Sequence, residues 1–334
     1  MKKKILSIDG GGMRGIVSAV LLQSLEEKLC EYSQNPKARI GDYFDLVAGT
    51  STGSILTVLY LYPNERGESK YSAKEVIQAY IDYGSYIFRR QWTYPFWGAK
   101  YTNKYFEEML KSYFGDSTLG DLRKPCLLTS YDITKRSAVF FNSVSGRIND
   151  HRNYMLRDAI LSSTAAPTYF PPTCQKGQYS CYGCLIDGGV VANNPSMCAL
   201  IEALKLPECE RTADIITVSV GNVKNTKSYS YKRAKLWGLL NWAIPMFDIL
   251  MDGSEQTVDY QLRRVYKSIG EPQNYIRMQL KTESNIPKMD AYSQEAIDTF
   301  LGFGYRLAEK EKSTIDSLAK MLVNQSTGLQ RAIK

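Results

Sequence analysis

Three short apolar runs in this chain stop at glycines and resume as helical segments, and that repetition restricts the fold more than any other feature of its 334 residues. Lys4-Ile5-Leu6-Ser7-Ile8 runs into Asp9-Gly10-Gly11-Gly12-Met13-Arg14-Gly15, after which Val17, Val20, Leu21, Leu25 and Leu29 keep helical spacing. Asp45-Leu46-Val47-Ala48 reaches Gly49-Thr50-Ser51-Thr52-Gly53 and continues as Ser54-Ile55-Leu56-Thr57-Val58-Leu59-Tyr60. Cys184-Leu185-Ile186-Asp187-Gly188-Gly189-Val190 is followed by Asn193-Asn194-Pro195-Ser196, where another helix begins. Strands that alternate with helices imply an α/β fold, a largely parallel central sheet with helices on both faces. The spacing predicts strands at Lys4 to Asp9, Leu46 to Gly49, Cys126 to Tyr131, Ala138 to Asn142, Leu185 to Asp187, Ile215 to Gly221 and Tyr275 to Leu280. It predicts helices over 16–30, 51–61, 74–88, 103–113, 153–163, 195–205 and 291–323.

The turns also carry chemistry. A G-x-S-x-G sequence between strand and helix lifts a hydroxyl out of the backbone on a sharp turn, which makes Ser51 a candidate nucleophile. Alone, the same letters describe an ordinary loop. The Gly10–Gly15 loop presents backbone N–H groups at a helix start, where a phosphate or the oxyanion of an acyl-transfer intermediate is stabilised. Gly10, Gly12 and Gly15 satisfy G-x-G-x-x-G, yet the second strand leads into Gly49 and Thr50 rather than an acidic ribose ligand, and no Gly-Lys-Ser/Thr follows as a Walker loop requires. Asp187 sits at a strand end, where a turn-forming Asp-Gly is the bland alternative to a catalytic carboxylate. His151 is the one histidine and lies in the polar stretch Arg147 to Asn153, so a Ser-His-Asp triad would need an unfamiliar chain order. If Ser51 is activated, Asp187 is the base placed to do it. A carboxylate at its ordinary pKa is a poor base for a hydroxyl, so burial must raise it or the oxyanion site must carry much of the stabilisation.

Taken in order and spacing, Asp9-Gly10-Gly11-Gly12-Met13-Arg14-Gly15, Gly49-Thr50-Ser51-Thr52-Gly53 and Asp187-Gly188-Gly189 resemble the patatin-like phospholipases, lipid acyl hydrolases related to cytosolic phospholipase A2. Ala165-Ala166-Pro167 and Phe170-Pro171-Pro172 resemble the family's segment ahead of the aspartate strand; Ser54 departs from a frequent glycine. The resemblance implies a Ser51–Asp187 dyad, an oxyanion hole from the amides of Gly10, Gly11 and Gly12 with Arg14 assisting, and no metal or organic cofactor. It further implies hydrolysis of fatty-acyl esters of membrane glycerophospholipids. The alternatives are an esterase on soluble or lysolipid esters, and an anti-phage effector that stays silent until a cyclic nucleotide second messenger binds, with Lys224 to Lys235 as its receiving region. The resemblance spans residues 1–222 as a catalytic core; residues 223–334 form a basic, aromatic and then helical part expected to pack on the same domain.

Charge suggests where such an enzyme works. The formal net charge is +8, and the four tryptophans fall in two acid-free segments, Tyr83 to Phe106 and Val223 to Phe247, where Arg89, Arg90, Lys100, Lys104 and Lys224, Lys227, Lys232, Arg233, Lys235 accompany aromatic side chains. Indole and basic groups favour the headgroup layer of an anionic bilayer, while the competing reading has the tryptophans pack a cap over the active site. Nucleic acid ranks lower, because no nucleic-acid fold is evident. No apolar run approaches the ~20 residues of a membrane span; Leu236 to Met251 is interrupted by Asn241, Pro245 and Asp248. Met1-Lys2-Lys3-Lys4 starts like a signal peptide but reads as the first strand, since the apolar stretch stops at Asp9. Seven cysteines, an odd number, point to reduced thiols and a cytoplasmic protein peripheral to the inner membrane face. Cys174, Cys181 and Cys184 lack an evident fourth ligand for zinc. A homo-oligomer stays open.

Overall fold

The computed structural model describes residues 2–88, 98–176, 181–207 and 209–332. Among them the first half of the chain runs β1 (Lys3–Ile8), α1 (Gly15–Ser33), α2 (Ile40–Tyr43), β2 (Leu46–Thr50), α3 (Thr52–Leu61), α4 (Ala73–Ile87), α5 (Lys104–Phe114), β3 (Cys126–Asp132), β4 (Ser137–Asn142), α6 (Ser143–Ile148) and α7 (Leu156–Ser163). The second half runs β5 (Thr173–Lys176), β6 (Cys181–Asp187), α8 (Gly189–Ala192), α9 (Ser196–Ala203), β7 (Ile215–Asn225), α10 (Tyr231–Ala234), α11 (Leu239–Ser268), β8 (Tyr275–Thr282), α12 (Gln294–Lys310) and α13 (Lys312–Ala332).

The strands form one sheet in the order β5-β6-β3-β2-β1-β7-β8, with β4 paired to β3. β3, β2, β1, β7 and β8 are mutually parallel; β4 and β6 pair antiparallel with β3, and β5 pairs antiparallel with β6. Side chains alternate across each strand, so a sheet covered on both faces needs apolar residues at consecutive positions. The central strands satisfy this. Leu6, Ile8, Val47, Leu128, Val218 and Val220 join one core cluster with α1, α3, α4 and α12, while Ile5, Leu46, Ala48, Leu127 and Ile215 join a second with α9 and α11 through Leu200, Leu262 and Tyr266. The α/β expectation holds.

Four local expectations are corrected. Strand β6 begins at Cys181 and has an antiparallel partner in β5, neither legible in a stretch that alternates polar residues and cysteines. The helix expected over 291–323 is two, α12 and α13, separated at Glu311. Residues 239–268 form one helix of 30 residues that carries Pro245 inside it; proline removes one N–H but does not end a helix that packing holds elsewhere. Cys174 is disulfide-bonded, against the expectation of reduced thiols throughout, whereas Cys30, Cys126, Cys184, Cys198 and Cys209 are free. No described helix is long and apolar enough to cross a membrane.

Candidate active site

Sheet register brings Ser51 and Asp187 together. β2 ends at Thr50, level with Thr129 of β3. β3 overshoots it, and Ser130 pairs with Asp187 at the end of antiparallel β6. Ser51, the next residue after Thr50, therefore stands opposite Asp187. Cross-links around this junction hold it: the Thr50 hydroxyl meets that of Thr129 at 2.7 Å and donates to the Ala192 carbonyl at 2.5 Å, and the Asp187 N–H donates to the Ala165 carbonyl at 3.0 Å.

The turn at Ser51 is strained and tightly enclosed. Its φ of 54° and ψ of −121° lie outside the regions where a non-glycine residue is comfortable. Gly53 is required because a Cβ there would stand 2.1 Å from the Ile8 carbonyl oxygen. The conformation aims the Ser51 Oγ at Asp187, where it donates to Oδ2 at 2.6 Å. The second carboxylate oxygen, Oδ1, accepts from the Gly189 N–H at 2.7 Å. Ser51 is 8% exposed and Asp187 1%. Burial pushes the Asp187 carboxyl up to about 6 from 3.8, against the opposing pull of the bonds from Ser51 and Gly189.

Two serines that no motif singles out support the turn. The Ser51 N–H donates to the Ser163 Oγ at 3.0 Å, the Ser163 and Ser54 hydroxyls meet at 2.6 Å, and the Ser54 Oγ donates to the Gly49 carbonyl at 2.9 Å. Ser54 thus spends its proton on Gly49, so Ser163 donates to Ser54 while accepting from Ser51. The residue that departs from a common glycine is a structural link here. Ser163→Ala would leave a buried N–H unpaired and is expected to cost about 1–3 kcal/mol in denaturant unfolding; an unchanged midpoint would show that the turn does not lean on this hydroxyl.

The glycine loop faces the same point, with one correction to the expected donor set. The Gly10 N–H donates to the Asn193 carbonyl at 3.1 Å, and its own carbonyl accepts from the Asn222 side chain at 2.8 Å. Gly10 is therefore an anchor whose amide is already engaged. Gly11 and Gly12 donate to no group among the described residues and line an apolar cavity with Ser51 and Asp187. Gly12 has φ +59°, and a Cβ there would meet the Met289 carbonyl oxygen at 2.3 Å. The walls of the cavity, about 50 Å³ in volume, include Ile55, Tyr80, Phe88, Phe170, Met251 and Met289. Arg14 does not line it; its side chain lines a polar cavity on the other side of Gly11.

A buried ion pair backs the loop. The Arg277 guanidinium on β8 donates to both oxygens of Asp9 at 2.9 and 2.5 Å and approaches Glu255 of α11 at 3.2 Å. Asp9 immediately precedes Gly10, so this clamp ties the loop to residues far along the chain.

Other expected sites fall elsewhere. His151 is exposed in a one-turn 3-10 helix and lines neither cavity. Of the first aromatic segment, Phe88 and Tyr101 are buried against each other and Phe170, and Lys100 pairs with Asp290; Arg89, Arg90, Trp92, Tyr94, Phe96 and Trp97 lie outside the described residues. In the second, Leu236, Trp242 and Met246 are exposed, as is Leu250 just beyond it.

Residues 6–200 match the family described as "Patatin-like phospholipase". "Patatin-like protein 2" of Oryza sativa subsp. indica is 32% identical over 93% of this chain and 85% of its own length. "Patatin-like protein 2" of Arabidopsis thaliana is 30% identical over 93% and 84%, and "Patatin-2-Kuras 3" of Solanum tuberosum 30% over 92% and 84%.

Proposed function

We propose, from the premise that this chain belongs to the patatin-like phospholipase family and is a lipid acyl hydrolase, that it cleaves fatty-acyl esters of membrane glycerophospholipids with Ser51 as nucleophile and Asp187 as its base. The observation that carries this reading is the 2.6 Å bond from the Ser51 Oγ to Asp187 on a positive-φ turn, beside two unengaged amides.

The chemistry follows from these groups. The Ser51 oxygen attacks the ester carbonyl carbon as its proton passes to Asp187 Oδ2. The carbonyl oxygen gains charge, and the Gly11 and Gly12 N–H groups receive it without reorganising. The carbon–oxygen bond to the glycerol then breaks, with the proton on Asp187 going to the departing alkoxide. Water repeats the sequence on the acyl enzyme, and the fatty acid leaves. The apolar character of the walls suits the acyl chain rather than the headgroup. Arg14, held one wall away, adds positive potential behind Gly11.

Exposed Leu236 between α10 and α11, and Trp242, Met246 and Leu250 on α11, accompanied by Lys232, Arg233 and Lys235, support docking on an anionic bilayer. Met251, next along α11, lines the cavity, so the docking surface and the site share one helix. The soluble-ester and nucleotide-triggered alternatives have no observation of their own.

The base must be ionised to accept a proton. With the Asp187 carboxyl at about 6, kcat/KM is expected to fall about tenfold per pH unit below that value and to level off above it, measured by titrimetric fatty-acid release between pH 4 and 8. A flat profile across pH 5 to 7 would remove Asp187 as base. Ser51 dependence of fatty-acid release from mixed-lipid vesicles, with products identified by mass spectrometry, tests the whole reading.

A further inference from the structure

We infer, resting on the reading of Ser51 as the acyl-transfer nucleophile, that the polar cavity beside the glycine loop is a headgroup site for zwitterionic glycerophospholipids, in which Arg14 and Lys224 hold the phosphodiester and Asp248 and Asp252 hold the cationic amine.

This cavity has a volume of about 300 Å³, at the lower end of small-molecule sites. Gly11, Met251 and Met289 line both it and the apolar cavity of Ser51. An ester seated at Gly11 thus has apolar walls on the side of its acyl chain and a polar space on the other for what remains of the lipid.

Its lining is chemically unfinished. Buried polar atoms in folded proteins almost always have partners, yet two that line this cavity, Arg14 Nε and Asn193 Oδ1, have none. Asn193 is 4% exposed. The Lys224 ammonium is ion-paired with Asp252 at 3.3 Å and lies 3.8 Å from Glu255. Two cationic groups in one lining, Arg14 with an unspent N–H donor, are a phosphodiester's complement.

The carboxylates in the same lining rule against a simple anion. Asp248 and Asp252 stand one turn apart on α11, on the same face. Glu255 is occupied by Arg277 and Gln279, whereas Asp248 is exposed. A phosphomonoester or inorganic phosphate would meet these carboxylates as like charges. A headgroup with an amine two carbons from its phosphate places each charge against its opposite. Phosphatidylethanolamine and phosphatidylcholine share that chemistry; Tyr229, also in the lining, offers a ring face to a quaternary amine.

The test uses the full chain and mixed micelles of fixed detergent composition. kcat/KM is measured on phosphatidylethanolamine, phosphatidylcholine and phosphatidic acid, each as a ratio to diacylglycerol, which has the ester and no headgroup. The expected result is a higher ratio for one or both zwitterionic lipids than for phosphatidic acid, falling about tenfold in the double variant Asp248→Asn/Asp252→Asn, the scale of one charge-assisted hydrogen bond. Arg14→Gln is expected to lower the ratios of all three phospholipids. Glycerophosphoethanolamine should inhibit, and inorganic phosphate at the same concentration should not. Ratios unmoved by the double variant, a preference for phosphatidic acid, or equal inhibition by inorganic phosphate would overturn the inference. If diacylglycerol cleavage requires Ser51 while the ratios do not move, only the headgroup site fails; if no cleavage depends on Ser51, the reading of the site fails with it.

Discussion

Ser51→Ala is expected to lower fatty-acid release from phospholipid vesicles by about 10⁴-fold or more, the scale at which hydrolases lose turnover with their nucleophile. The residual rate would be that of amides and a carboxylate facing an ester with no attacking oxygen. The fold should survive. The Ser51 N–H keeps its bond to Ser163, and what is lost is the hydroxyl's bond to Asp187. That bond lowers the Asp187 pKa against the effect of burial, so the carboxyl in the variant should titrate higher. Fatty-acid release and thermal unfolding, measured side by side, check both halves. Turnover within tenfold of the parent would exclude Ser51 as nucleophile.

Asp187→Asn should be nearly as damaging to the rate, by about 10³–10⁴-fold, while making the protein more stable near pH 8. The sign follows from the carboxyl's position at about 6 when folded, against 3.8. Between those values the native state binds more protons than the unfolded chain, so this group's contribution to stability falls as pH rises through the interval. Above it, the ionised buried carboxylate opposes folding by up to about 3 kcal/mol, which asparagine removes at the expense of a weaker partner for Ser51 and Gly189. A net gain of about 1–3 kcal/mol at pH 8, vanishing near pH 4, is expected from denaturant unfolding. Loss of stability at pH 8 would mean that the carboxylate's hydrogen bonds outweigh its burial. Catalytic groups held against their own stability are common in active sites.

Much of this was legible in the sequence because glycine requirements and buried strands leave strong marks. Ile5-Leu6 and Leu46-Val47 are apolar at consecutive positions because both faces of the sheet are covered, and Gly12, Gly49 and Gly53 stand where a Cβ would run into a backbone carbonyl oxygen. Ser51 and Asp187 stand at the ends of such runs. What stayed hidden depends on contacts between distant segments. The Gly10 amide is engaged by Asn193, and a glycine triplet carries no sign of which N–H is spent. Ser163 and Arg277 act through single side chains that belong to no motif. Helix α11 was obscured by Pro245 and Gly253 within it, and the strand pair β5–β6 by short, polar, cysteine-bearing sequence.

The most direct test is covalent. An alkyl fluorophosphonate presents a tetrahedral phosphorus to an activated serine and is attacked as an ester carbonyl would be. Peptide mass spectrometry after treatment at pH 8 should find one adduct, on Ser51, absent from Ser51→Ala and formed far more slowly by Asp187→Asn. An adduct on another serine, or equal labelling of Ser51 with and without the Asp187 carboxylate, would contradict the account.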